Sequence, residues 1–287
     1  LVKKGSQVAV PVRGSKKTRY LKEVKDKIKI IKADLSNFDT CLRITKGIDI
    51  VMNLAAEVGG IEFNIKHPAS IFRNNVQTFL NIIEASRINK IKRFLVISSA
   101  CVYPRYCTIP TPEEEGFKNM PEPTNDGYGF SKRVQEFLGQ KYSQQYGMKI
   151  GIARPYNAYG PRDNFDPKSS HVIPSLIRKV FQAKKMIKVW GSGNQTRAFL
   201  YVEDFVRGLM MMTEKYCLAD PVNIGTDEEV KIKDLINLII KISGKKIKPI
   251  FDQSKPEGQP RRNCDTKKIN LYFNYIYKIS LEEGLKK

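Results

Sequence analysis

"NNVQTFLNIIEASRINKI" (74–91) is followed, after Lys92, by "RFLVISSACVYP" (93–104), and this junction decides the fold. The first segment repeats apolar residues three and four apart (Val76, Phe79, Leu80, Ile83), which predicts an amphipathic helix. The second opens as a near-continuous apolar run of strand length, the mark of a strand buried on both faces. That strand ends in two hydroxyls and a thiol, with an aromatic residue and a proline soon after. A thiol beside apolar residues is usually a small hydrophobe. Whether Cys101 is packing or chemistry depends on what surrounds it.

Working outward, the same alternation recurs. "QVAVPV", "IKIIKADL", "IDIVMNLAA" and "KIGIARP" read as strands. "TRYLKEVKD", "FDTCLRITKG" and "GFSKRVQEFLGQKYSQQYG" read as helices, the last two closed by glycine. Strand–helix alternation with apolar strands predicts a parallel sheet covered on both faces, an α/β Rossmann-like doubly wound fold. Such a fold opens with a strand and a Gly-rich turn that seats a pyrophosphate on a helix N-terminus. Here "LVKKGSQVAV" reads as the end of a helix, its glycine stop and the second strand. The expectation is therefore an N-terminally truncated dinucleotide-binding domain over 1–160, lacking the first strand and the Gly-rich loop. Beyond 160 the pattern loosens. Residues 161–287 are expected to form mainly a smaller substrate-binding domain, with segments around 187–210 returning to the first domain. "PIFDQSKPEGQPRRNCD" (249–265) reads as loop.

Composition excludes several classes. At 287 residues with 41% hydrophobic content the chain has ample core, and no apolar run approaches the ~18 residues of a membrane span. Five cysteines form no CxxC pair, which argues against a disulfide framework and for a reducing, cytoplasmic setting. With His67 and His171 as the two histidines, no metal site is expected. The net charge of +21 comes from lysines spread along the chain rather than from one block. Background bias plus an anionic small ligand accounts for it better than nucleic acid does.

"YGFSK" carries the strongest chemical signal. Tyr128 and Lys132 stand four apart at a helix start, on one face. An ammonium beside a phenol favours the phenolate, so Tyr128 is expected to exchange a proton nearer neutral pH than its reference of ~10. Behind a strand ending in Ser98 and Ser99, the pair becomes a catalytic candidate. The structural alternative for each part is bland: a buried strand end at "NLAA" (53–56), a turn at Asn157.

With "ADL" (33–35), "NLAA", "SSACVYP" (98–104), "YGFSK" (128–132), "RPYNAYGPRD" (154–163), "WGSGNQTRAFLYVED" (190–204) and "PVNIGT" (221–226), the chain resembles the extended short-chain dehydrogenase/reductase family of nucleotide-sugar enzymes over nearly its whole length. The resemblance implies that Asp34 and Leu35 flank the adenine and that Asn53, Leu54, Ala55 and Ala56 line the nicotinamide side. It implies that Ser99 and Tyr128 hold and protonate the sugar oxygen, and that Lys132 bonds the cofactor ribose. Pro155 is placed at the cofactor, and Asn157, Lys179, Trp190, Arg197 and Arg261 at the nucleotide-diphosphate sugar. "VGGI" (58–61), "NFDPKSSHVIP" (164–174) and "FDQSKPEGQPR" (251–261) look like the GDP-fucose synthase branch, as does Cys101 combined with His171. The branch implies 3,5-epimerisation and 4-keto reduction of GDP-4-dehydro-6-deoxy-D-mannose, with Cys101 and His171 as base and acid. The alternative is a redox-neutral NAD-dependent epimerase, resembling UDP-glucose 4-epimerases or GDP-mannose 3,5-epimerases. "QTRAFLYVEDF" and "YGFSK" depart from the synthase pattern. The end of the second strand offers Arg13, Lys16 and Lys17 and no acid, which favours the 2′-phosphate of NADP(H) over NAD(H). Similar enzymes dimerise through the helices over 74–91 and 129–146, so a homodimer is expected.

Overall fold

The computed structural model describes residues 1–167, 169–255 and 259–287, and the side chains of 15–17 also lie outside the description. Lys16 and Lys17 of the cofactor expectation, Lys168 of "NFDPKSSHVIP" and 256–258 of "FDQSKPEGQPR" therefore fall outside it.

Strands β1 (Val8–Val12) and β2 (Ile28–Lys32) pair in parallel, Val8 opposite Ile28. Helix α1 (Phe38–Thr45) starts on Asn37, whose side chain accepts from Thr40 N, satisfying one of the end donors. Next come β3 (Ile50–Asn53), the short α2 (Ile61–Lys66), α3 (Pro68–Ile88) and β4 (Arg93–Ile97). A long loop containing 3-10 turns leads to α4 (Asp126–Tyr146), β5 (Ile150–Pro155) and the two-residue β6 (Ala158–Tyr159). The remainder is α5 (Val172–Gln182), β7 (Met186–Trp190), β8 (Thr196–Ala198), β9 (Leu200–Tyr201), α6 (Val202–Lys215), β10 (Leu218–Ile224), β11 (Glu229–Lys231), α7 (Ile232–Ser243), β12 (Lys248–Asp252), β13 (Arg261–Arg262), α8 (Lys267–Phe273) and α9 (Leu281–Lys286).

The main sheet is parallel, in the order β10-β5-β4-β3. Alternation along β4 divides its two faces. Phe94 and Val96 pack among Cys41, Phe79, Ile82 and Ile83 from α1 and α3, whereas Leu95 packs with Leu209, Met212 and Phe273 from α6 and α8. A parallel sheet with helices on both faces is the Rossmann-like arrangement expected. β1 and β2 form their own two-stranded sheet: among the described residues no strand bridges β1 and β3.

Of the 187–210 range expected to return, Leu200 of β9 and Leu209 of α6 join the core of the sheet body, as do β10 and α8, whereas Ile187 and Val189 of β7 lie in the second core. A separate core holds α5, α7, β7 and α9 together through Leu176, Val180, Val189, Leu235, Ile239 and Leu281. Part of the presumed loop over 249–265 is strand: β12 pairs with β7, and β13 pairs with β8. The second core stands beyond the C-terminal ends of β3, β4 and β5, and the crevice between them is the site.

Candidate active site

After β4 the chain makes a 3-10 turn over Ala100–Val102, started by Ser99, whose hydroxyl accepts from Cys101 N at 3.1 Å. Ser98 turns inward and donates to the buried Glu136. Ser99 and Cys101 face a cavity of about 660 Å³. Cys101 is only partly buried, and its sulfur is met by two donors: Asn125 Nδ2 at 3.3 Å and Arg262 Nη1 at 3.8 Å. It is a cavity thiol, unlike Cys41 and Cys264, which are sealed in the core.

Helix α4 brings Tyr128 and Lys132 to the same cavity. Gly129 makes the approach possible, since a Cβ there would lie 2.5 Å from Cys101 O. The expected lowering of the Tyr128 pKa is not what the structure gives. Burial pushes the phenol up, charge interaction with Cys101 adds to this, and a side-chain hydrogen bond with Ser99 opposes both. Lys132 cannot compensate. Its Nζ lies 5.5 Å from the Tyr128 ring centroid and donates instead to Ile97 O at 2.7 Å and Gln135 Oε1 at 3.1 Å. Burial also lowers its own pKa to about 8, against the pull of Cys101 and Glu136. Desolvation therefore outweighs the pair interaction, and Tyr128 is held as a phenol that can donate.

Behind these residues lies a buried polar scaffold. Glu136 takes Arg154 Nε at 2.8 Å and Nη2 at 2.7 Å, and Arg154 Nη1 reaches Tyr103 Oη at 3.0 Å and Glu113 O at 2.6 Å. Tyr103 donates to Asn223 Oδ1 at 2.5 Å. This network ties α4, β5 and β10 together and meets the cavity through Ser98, which follows β4.

His171, the residue that caps the start of α5, lines the same cavity and is itself exposed. Loop 58–61 closes against it: a Cβ on Gly60 would sit 3.3 Å from Ser170 O. Leu54, Ala56, Pro155, Asn157, Lys179, Trp190 and Arg197 line the same cavity. Asn157 is braced by its Nδ2 donating to Ala198 O at 2.8 Å, and Lys179 by donating to Lys188 O at 3.0 Å. Other expected residues stand apart from it. Asn53 is buried at the end of β3, and Ala55 is exposed. Arg13, Asp34 and Leu35 follow β1 and β2. The Asp34 carboxyl is held below its usual range by the Ser36 N–H and hydroxyl, with help from Arg13.

Arg261 is the clearest displacement. It forms a bidentate pair with Glu229, with Nε and Nη2 2.7–3.0 Å from the carboxylate oxygens, outside the cavity lining. Its neighbour Arg262 faces the cavity in its place. Sequence reasoning missed Arg262, Asn125, Glu122 and Arg178, all of which line the cavity. The spacing between Asn125 and Tyr128 was the available signal for one of them. Among the described residues no group of His, Cys, Asp or Glu could hold a metal ion, and no helix is long and apolar enough to cross a membrane.

The donor set suits a dinucleotide at the strand ends. Lys132 spends two of its three N–H protons on protein acceptors, which leaves one for a ligand, and both it and the exposed Leu54 line the cavity. A parallel α/β sheet with a Ser–Tyr–Lys set at its C-terminal ends defines the class: a nicotinamide-dependent enzyme acting on a carbonyl or alcohol. Comparison with known proteins narrows it. The NAD dependent epimerase/dehydratase family matches residues 1–225, and the chain belongs to that family. It is 39% identical over 241 residues to a GDP-L-fucose synthase of Sinorhizobium fredii, covering 83% of this chain and 76% of that one. It is 34% identical over 258 residues to the GDP-mannose 3,5-epimerase of Arabidopsis thaliana, covering 88% and 67%. The solved GDP-L-fucose synthetase of Naegleria fowleri superposes with a TM-score of 0.83 at 25% identity, over 98% of this chain and 91% of that one.

Proposed function

We propose that the protein is a nucleotide-sugar 3,5-epimerase and 4-reductase that converts GDP-4-dehydro-6-deoxy-D-mannose to GDP-L-fucose with NADPH. One observation carries the reading: Cys101 and His171, seventy residues apart in sequence, line one cavity with Ser99, Tyr128 and Lys132. The C4 ketone of that substrate acidifies the protons on C3 and C5. Cys101 and His171 serve as base and acid on the two faces of the ring. A thiolate base needs a cation nearby, and Arg262 supplies one at the sulfur. Ser99 and Tyr128 hold O4 as negative charge develops there. A reduced nicotinamide, when bound beside Lys132, supplies the hydride for C4. Tyr128, kept protonated by its burial, then gives its proton to O4.

Arg178, Lys179 and Arg197 in the cavity lining suit a diphosphate, and Trp190 offers a face for the base. Arg13 after β1 supports NADP(H) over NAD(H). The partly exposed Phe72, Leu80 and Phe137 on α3 and α4 support a homodimer through those helices. Five free cysteines suit a reducing, cytoplasmic compartment.

The second reading is a redox-neutral 3,5-epimerase, favoured by the 34% identity to the Arabidopsis enzyme of that name. Mixing the protein with GDP-4-dehydro-6-deoxymannose and NADPH separates the two. The reductase reading predicts loss of absorbance at 340 nm in step with GDP-L-fucose formation. No consumption of NADPH with this or related keto-sugars defeats it.

A further inference from the structure

Glu122 lies in the segment "PEPTN" (121–125), between two prolines, and is 1% exposed. One carboxylate oxygen is fully used: Oε1 accepts from Arg105 Nη1 and from Thr124 Oγ1, each at 3.2 Å. The other, Oε2, is buried and receives no hydrogen bond from the described residues. Asn125, three residues on, repeats the pattern. Its Nδ2 donates to the Cys101 sulfur, and its Oδ1 is buried without a partner. Both residues line the cavity that Cys101 and Tyr128 also line. A native structure rarely leaves buried acceptors unpaired, because each forfeits the hydration it had in the unfolded chain. Arg105 offsets the charge of Glu122 but does not reach Oε2.

We propose that Glu122 is a specificity residue: its free carboxylate oxygen, together with Asn125 Oδ1, accepts hydrogen bonds from ring hydroxyls of the hexose. The inference rests on the GDP-sugar reading above and adds which wall of the cavity recognises the sugar rather than the nucleotide. Two unpaired acceptors in this wall of the cavity demand a ligand that offers O–H donors to it. A ligand without them leaves both acceptors unsatisfied, which is how a buried polar site rejects an analogue. The donors reserved for phosphate, Arg178, Lys179 and Arg197, lie on other elements, so the sugar and nucleotide ends are read separately.

Glu122→Gln tests this without removing bulk. Arg105 and Thr124 both donate, so the amide oxygen takes the Oε1 position and an NH2 replaces the free acceptor. Calorimetric titration of wild type and variant with GDP-mannose and with GDP reads the ratio of the two affinities. Wild type is expected to bind GDP-mannose more tightly than GDP. The variant is expected to lose about tenfold or more of that advantage with its GDP affinity unchanged. If Glu122→Gln no longer binds GDP, Glu122→Asp replaces it: the charge facing Arg105 remains, the acceptor retreats by one methylene, and the same loss is expected. A variant that keeps the full advantage, or a wild type with none, overturns the assignment. Wild type that binds neither ligand removes the GDP-sugar reading as well. A Glu122 effect in a protein that consumes no NADPH leaves this assignment standing and removes only the reductase reaction.

Discussion

Lys132 gives the sharpest quantitative test of the site's electrostatics. Its side chain is 2% exposed, and burial lowers its pKa from 10.5 to about 8. The sign follows from proton counting. Below pH 8 both the folded and the unfolded chain hold the proton, and the folded state bears the full penalty of a buried charge. Between about 8 and 10.5 the unfolded chain still binds a proton that the folded chain has released, so stability rises with pH by ~1.4 kcal/mol per unit. Over the whole window this amounts to about 3 kcal/mol. Lys132→Met removes the titrating group. The measurement is urea unfolding of both proteins, followed by circular dichroism, at steps from pH 7 to 10.5. The wild-type stability minus that of the variant should climb by about 3 kcal/mol, because other titrations cancel in the difference. The variant's lost hydrogen bonds to Ile97 O and Gln135 shift the difference by a constant and leave its slope alone. Two curves that stay parallel across the window would mean Lys132 is solvated and titrates normally, and the account of a desolvated site would fail.

Three further outcomes are expected. Tyr128→Phe should lower kcat by roughly 10²–10⁴, the usual contribution of a positioned proton donor, with the KM for the GDP-sugar nearly unchanged. Steady-state kinetics on the keto-sugar would show it. Arg262→Gln should slow iodoacetamide labelling of Cys101 at pH 7.5, read by peptide mass spectrometry, while labelling of Cys217 stays constant. An equal rate at Cys101 removes Arg262 as the cation at the sulfur. Glu136→Gln leaves Arg154 buried without its counter-charge, and breaking such a pair costs about 3–5 kcal/mol. Urea unfolding should register that loss, and a change below 1 kcal/mol would contradict a dry network beneath the cavity.

How much of this was legible in the sequence varies by element. The "RFLVISS" strand and the helices flanking it were, because apolar periodicity maps directly onto which faces are covered. The Tyr128–Lys132 spacing was also legible, but its consequence was not. Proximity of an ammonium predicts an acidic phenol, whereas the depth of burial, a property of the packed whole, reverses the sign. Arg261 and Arg262 show a second limit. A stretch dense in Pro, Gly and Arg reads as loop, yet it contains β13, and along a strand adjacent side chains face opposite ways. One arginine therefore meets Glu229 and the next meets Cys101. Just past β4 the hydroxyls part in the same way: Ser98 donates to Glu136, while Ser99 accepts from Cys101 N. Glu122 carried no pattern at all, because its role depends on an oxygen left over once its neighbours are satisfied.

The central claim is that Cys101 and His171 exchange protons on the two faces of one sugar ring. Running the reaction in D₂O with NADPH and locating deuterium in the product by NMR tests it most directly. The account predicts one solvent deuteron at C3 and one at C5 for the wild type. Cys101→Ser should give a reduced sugar that carries no full complement at both carbons. A product with hydrogen retained at C3 and C5 throughout would contradict it.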